Sequence, residues 1–211
     1  VTITVNEMVE GDVGTFTTGT VNSSGTVVES THAGRGGEVV FLLDGKDYRT
    51  RMTVEQYDYE YGDGDLITLQ TKSVGNGVNI VLMGDCFDAK DISEGKYVQA
   101  MQDAYTYFFD IEPYATYKDY FNVYAVVGMS ADSGMGTVNT IREARFGSQY
   151  TLNEGVSPDF ETVFAGACTA PINDDVATTL IILVENSNEY SGLCHLWGDG
   201  SAVALVPMSN D

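Results

Sequence analysis

Side chains able to carry catalysis are few in this sequence. There are two histidines, His32 and His195, and three cysteines, Cys86, Cys168 and Cys194. Two histidines far apart cannot build a histidine-rich metal site. No H-E-x-x-H, G-x-S-x-G, G-x-G-x-x-G or G-x-x-x-x-G-K-[ST] occurs. Cys194 and His195 are adjacent, so on a strand they point to opposite faces and cannot act as nucleophile and base for one another. Cys168 could approach either of them, but no spacing in the sequence places it there. An odd cysteine count without C-x-x-C is neither a disulfide framework nor a zinc ribbon, and leaves room for one bridge at most.

The carboxylates offer more. Asp58, Glu60, Asp63 and Asp65 gather at an expected hairpin tip, where oxygen ligands suit Ca²⁺, but their spacing is not that of an EF-hand loop. A solvated acidic hairpin is the better account of them. Ala131-Asp132-Ser133-Gly134 follows an expected parallel strand, the usual place for a binding loop or simply for a tight turn. Asp85, just past another such strand, reads as a site residue or as the cap of the next helix. Tyr57, Tyr59 and Tyr61 make a one-sided stripe that suits either sugar stacking or packing on a neighbouring sheet.

The chain that positions these groups has 211 residues, with 31 Asp+Glu against 10 Lys+Arg and a formal net charge of -21. A hydrophobic fraction of 43%, with 13 Tyr and 9 Phe, excludes wholesale disorder despite that charge. The length fits one ordinary domain or two small ones. The acidic surface repels phosphate backbones and argues against a nucleic-acid partner. No apolar run approaches the roughly 18 residues of a membrane helix, so no transmembrane segment is expected. The start, V-T-I-T-V without Met, reads as a trimmed end, which leaves room for a removed export signal.

Residues 1–75 read as a small all-β, sandwich-like module. Residues 1–5 and 14–21 are Thr-rich strands, and 38–43 and 47–54 flank an Asp44-Gly45 turn. Residues 57–61 and 66–71 are read as further strands. A Gly/Ser-rich stretch at 72–77 is the expected linker. Residues 76–211 then read as an α/β domain in the order β-α-β-α-β-β-β, implying a three-layer, mostly parallel sheet with an antiparallel edge strand. Its strands are 78–83, 121–128, 178–184, 192–197 and 201–206. Its first helix starts near Asp91, boxed by Glu94, and stops before Pro113; its second is capped by Ser157 ahead of Pro158 and runs to about Ala167. Residues 129–155 read as a surface excursion.

One ordered set of segments is more specific: V-N-I-V-L-M-G-D-C-F-D-A-K-D-I-S-E-G-K-Y at 78–97, E-P-Y and Y-K-D-Y-F-N-V-Y-A-V-V within 109–127, and S-A-D-S-G at 130–134. It resembles the start of the catalytic domain of the IgA-peptidase-type zinc metallopeptidases. There a strand ending in Gly-Asp-Gly-Tyr leads to a long helix, an E-P-[FY] break, an F-N-V-Y strand and an S-x-x-S-G loop. The tail, 191–209, is similar to the strands that precede the family's zinc-binding helix. Here the first motif reads Gly84-Asp85-Cys86-Phe87, and H-E-x-x-H is absent. The resemblance therefore implies the N-terminal part of a secreted or cell-surface zinc metallopeptidase with a zincin-like domain. Zinc belongs to the full-length protein, and no metal is expected in these 211 residues. The partner implied is a peptide or protein substrate, added as a strand beside the edge strand 192–197. Gly192, Leu193, Cys194 and His195 are then the expected substrate-side residues. The alternative is a non-catalytic acidic adhesion protein that recognises glycan or protein.

Overall fold

A computed structural model of the chain describes residues 2–10, 26–30, 37–43, 46–55, 57–151, 155–173, 175–187 and 192–208. The chain divides into two units, Val1–Asp58 and Tyr59–Asp211. In the first, β1 (Thr2–Glu10), β2 (Thr26–Ser30), β3 (Gly37–Leu43) and β4 (Lys46–Glu55) form an antiparallel sheet in the order β1-β4-β3-β2. Leu43 stands opposite Lys46. Asp44, Gly45 and the expected strand 14–21 lie outside the described residues.

The second unit is built on a six-stranded sheet. Its strands are β5 (Leu66–Gln70), β6 (Val78–Asp85), β7 (Phe121–Val126), β10 (Thr179–Glu185), β11 (Leu193–Leu196) and β12 (Ala202–Pro207), and a separate hairpin pairs β8 (Gln149–Thr151) with β9 (Gly155–Ser157). The sheet order is β11-β12-β10-β6-β7-β5. The inner four strands run parallel, and β5 and β11 are antiparallel edges. The sheet thus has two antiparallel edges where the sequence suggested one.

β5 corrects the reading of 66–71 as part of the N-terminal module, since it pairs with β7. Nor is 72–77 a free linker. The amides of Ser73 and Val74 donate to Asp119 O and that of Lys72 to Asn122 Oδ1, so the bend is pinned to the entry of β7. Residues 57–61 form no strand.

Parallel strands covered on both faces need apolar residues at every position. Strand periodicity divides them cleanly. Ile80, Leu82, Val123, Ala125, Ile182 and Val184 face α2 (Lys96–Phe109), through Tyr97, Ala100, Met101 and Phe109. Val81, Met83, Ile181, Leu183, Val203 and Leu205 face α3 (Phe160–Ala167), through Val163 and Ala167. Burial of each large side chain contributes about 1.5–3 kcal/mol.

The helix starts are displaced from the expected ones. A short α1 (Ala89–Ser93) is capped by Asp88, and the capping box closes on Asp91. Gly95, at φ 78°, then breaks the chain before α2. Asp91 is therefore the third helical residue of the box rather than its cap. Likewise Asp159, not Ser157, caps α3, accepting from the amides of Glu161 and Thr162. In both places two competing Asx/Ser caps lie within three residues, and the more exposed of the two takes the cap.

Candidate functional site

β6 and β10 both end in an acid after an apolar run, and parallel pairing sets Asp85 opposite Glu185. Both are fully buried. Asp85 Oδ1 accepts from the Cys86 amide (2.9 Å), Ser130 Oγ (3.1 Å) and the Phe146 amide (3.1 Å), and Oδ2 accepts from the Ser148 amide (3.0 Å). Ser148 Oγ donates to Glu185 Oε1 at 2.6 Å. The Cys86 thiol lies 3.8 Å from Glu185 Oε2. One carboxylate thus joins β6, the 130 turn and the 145–148 segment. Burial, and then the neighbouring Asp85 charge, push the Glu185 carboxyl well above its ordinary range. Burial first, then Asp85 and Glu185, push the Cys86 thiol far up as well.

Cys86 sits at φ 66°, in the left-handed region where a side chain costs about 1–2 kcal/mol. That conformation is why a Gly at this position of a Gly-Asp-Gly-Tyr turn is physically favoured. Asp85 is therefore neither helix cap nor exposed site residue. It is an internal acceptor, and capping falls to Asp88. Sequence reasoning missed Glu185, Phe146 and Ser148, and picked out Ser130 only as part of the 130–134 segment. The acid ending each of two parallel apolar strands was the available signal for Glu185. Residues 129–155 were read as surface, yet Phe146 and Ser148 lie in the core.

Two predictions arise here. The Glu185 pKa is raised on folding, so its contribution is sign-determined. Above the ordinary Glu value of about 4.3 the unfolded chain releases a proton that the folded chain keeps, and stability falls as pH rises toward the folded value. Glu185→Gln should flatten that slope in urea midpoints measured across pH. An unchanged slope would show that Glu185 is not its source. The second concerns thiols: in the native protein Cys194, which is exposed, should react with an aromatic disulfide reagent, while buried, protonated Cys86 should react only on unfolding. Rapid native labelling of Cys86, read by mass spectrometry, would contradict the buried network.

Of the other acids expected to do chemistry, Asp63, Asp65 and Asp132 are occupied in turns. Asp63 receives Arg145 Nε at 2.9 and 3.0 Å and the Met129 amide at 3.0 Å. Asp65 accepts from the Gly62 amide at 2.7 Å. Asp58 and Glu60 are exposed. In the 131–134 loop, Asp132 accepts from the Glu143 amide, Ser133 donates to Asp91 Oδ2 at 2.6 Å, and the Gly134 amide donates to Cys86 O. That loop is a clamped turn. Tyr61 packs on the core beneath α2, whereas Tyr59 is exposed.

The most open arrangement is at β11. Among the described residues no strand pairs with its outer side. The hairpin to β12 turns through Gly198-Asp199-Gly200, with Gly200 at φ 96° and Asp199 Oδ1 accepting from the Ser201 amide and hydroxyl. The Trp197 amide donates to Ser201 O at 3.0 Å, which sets the phase of the ladder. With Leu193 opposite Leu205 and His195 opposite Val203, residues 193, 195 and 197 bond β12. Antiparallel alternation then turns the N–H and C=O of Cys194 and Leu196 to the open side. His195 and Trp197 pack on Phe160 at 4.7 and 4.8 Å between ring centroids, and His195 Nε2 is buried without a hydrogen-bond partner. Leu193 lies over Gly155. Leu196 is 77% exposed. Gly192 lies just before the strand at φ 95°.

Residues 67–205 match the family model of IgA Peptidase M64. The match covers more than half of the sequence, from β5 into β12, and the chain belongs to this peptidase family. Comparison with curated proteins finds no match. The family relationship supports the peptidase reading and lends nothing to the adhesion alternative.

The family implies a metal. Among the described residues Asp85, Cys86 and Glu185 bring three potential ligand atoms within 4.8 Å of one another. They do not fit a catalytic zinc. Such a site binds deprotonated ligands and keeps an open position for water. Here both Asp85 oxygens already accept from protein donors, burial holds the thiol and the Glu185 carboxyl toward their protonated forms, and all three residues are sealed from solvent.

Proposed function

We propose that this chain is the substrate-binding scaffold of a secreted or cell-surface zinc metallopeptidase, and that its six-stranded sheet belongs to a zincin-like domain. In this reading the zinc and its H-E-x-x-H helix are supplied by polypeptide outside these 211 residues. The observation that carries the reading is the family match across the sheet that ends in the open strand β11. An extended peptide laid beside β11 gains two main-chain hydrogen bonds from Cys194 and as many from Leu196. It is thereby held straight, with its side chains alternating above and below the sheet. Gly192, at φ 95°, turns the chain into that edge, and Leu193 and His195 anchor the strand from beneath. Phe160 and Trp197 exclude water from that underside. Holding a scissile bond in one register is the part of peptidase chemistry that these residues perform.

The ladder phase makes the test specific. In the zinc-loaded full-length enzyme, Cys194→Pro removes an outward N–H and leaves the bonds to β12 intact. It should fold and lose at least about tenfold in kcat/KM, the equivalent of one hydrogen bond of ~1.4 kcal/mol. His195→Pro removes a bond to β12 and should lower Tm as well. A folded Cys194→Pro enzyme with undiminished kcat/KM contradicts substrate pairing at this strand.

A further inference from the structure

The sequence distributes charge unevenly around the open edge. Residues 146–211, which hold β8 to β12 and α3, contain nine Asp or Glu and neither Lys nor Arg. The six cations of the second unit all lie at 72–145 and are all engaged: Lys72 Nζ on Gly75 O, Lys90 with Glu94, Lys96 with Asp91, Lys118 over the Tyr105 ring, Arg142 on Ser133 O, and Arg145 on Asp63. Acids meanwhile border β11 by sequence and packing. Asp199 is in the turn that leaves it. Asp159 and Glu161 flank Phe160, which packs on His195. Asp103 lines the groove beside Val206 of β12, on the other face of the sheet. Asp159 and Asp199 are held below their usual pKa by Thr162 and Ser201 respectively, and stay charged through the working range.

An extended peptide brings its own charges within a few ångströms of such a border, inside the screening length of about 8 Å at physiological salt. Anionic flanks are repelled and cationic flanks attracted, and no protein cation stands near the edge in sequence to offset the field. Building on the proposed peptidase function, we infer that the strand accepted beside β11 is a cationic one: a peptide segment carrying Lys or Arg on either side of the residues paired with Cys194 and Leu196. The acids act on selection and encounter, and the backbone of β11 supplies the register.

The test uses the full-length, zinc-loaded enzyme and three peptides of one central sequence, flanked by Lys, Ser or Glu. At low ionic strength (~0.02 M) kcat/KM should fall in that order, by about tenfold from Lys to Glu. At ~0.5 M salt the differences should shrink to about twofold. The exposed-site variant Glu161→Gln should narrow the low-salt spread while leaving the Ser-flanked peptide unchanged. Equal rates for all three peptides at low salt overturn the inference and leave peptide hydrolysis standing. Cleavage of none of them overturns the peptidase reading, and this inference with it.

Discussion

Asp85→Ala should cost the second unit about 4 kcal/mol or more, the largest loss expected from any single polar substitution in this chain. Four donors converge on its carboxylate, the amides of Cys86, Phe146 and Ser148 and the Ser130 hydroxyl, and all are sealed from water. Removing the acceptor leaves the Phe146 and Ser148 amides and the Ser130 hydroxyl each with a desolvation cost of about 1–3 kcal/mol, partly recovered by relaxation, while the Cys86 amide keeps Ser130 Oγ. Asp85→Asn keeps one oxygen but turns an amide NH₂ toward N–H donors, and should cost roughly half as much. Trp197 is the one tryptophan in the sequence and lies in the second unit, so its fluorescence in urea reports this unit. A loss below ~1 kcal/mol for the Ala variant would mean that the 145–148 segment does not depend on this carboxylate.

Gly128→Ala should be comparably severe for a steric reason. A Cβ there would lie 2.4 Å from the Gly84 carbonyl oxygen and 2.5 Å from Phe146 Cε2. Backbone and a buried ring cannot both retreat, so β6 and the exit of β7 must separate, at a cost of about 3 kcal/mol or more. Gly84→Ala meets Tyr97 Cε2 at 2.4 Å, and would strain the Tyr97 hydroxyl bond to Val126 O. Gly198→Ala is the control. Nothing lies within 4 Å of its Cβ, and it should stay within about 0.5 kcal/mol of wild type. If Gly128→Ala unfolds at the wild-type urea midpoint, the strand ends are not packed as described.

The inner strands were legible because a parallel sheet demands near-continuous apolar runs, and V-N-I-V-L-M and T-T-L-I-I-L-V are such runs. Helix starts were legible only to within three residues, because Asp88 and Asp91, or Ser157 and Asp159, compete for one cap on terms that tertiary packing decides. Residues 129–155 were misread because the segment's Gly, Ser and Arg content disguises Phe146 and Ser148, whose burial depends on Asp85, some sixty positions away. A still longer separation, one hundred positions from Asp85, hid Glu185. At β11 the residues were legible and the hydrogen-bond phase was not. Which of Cys194 and His195 turns its amide outward is fixed by the Trp197–Ser201 bond of the hairpin. The division between Asp58 and Tyr59 leaves no composition signal, since β5 has the Thr-rich pattern of the preceding strands but pairs with β7.

Amide hydrogen exchange at β11 tests the central claim most directly. In the enzyme without substrate, Leu193, His195 and Trp197 should be protected by β12, while Cys194 and Leu196 exchange as open-edge amides. Saturation with a non-cleavable extended peptide should slow Cys194 and Leu196 by about tenfold or more, and leave the other three nearly unchanged. Saturating peptide with no change at Cys194 and Leu196 would contradict the assignment of this edge to the substrate.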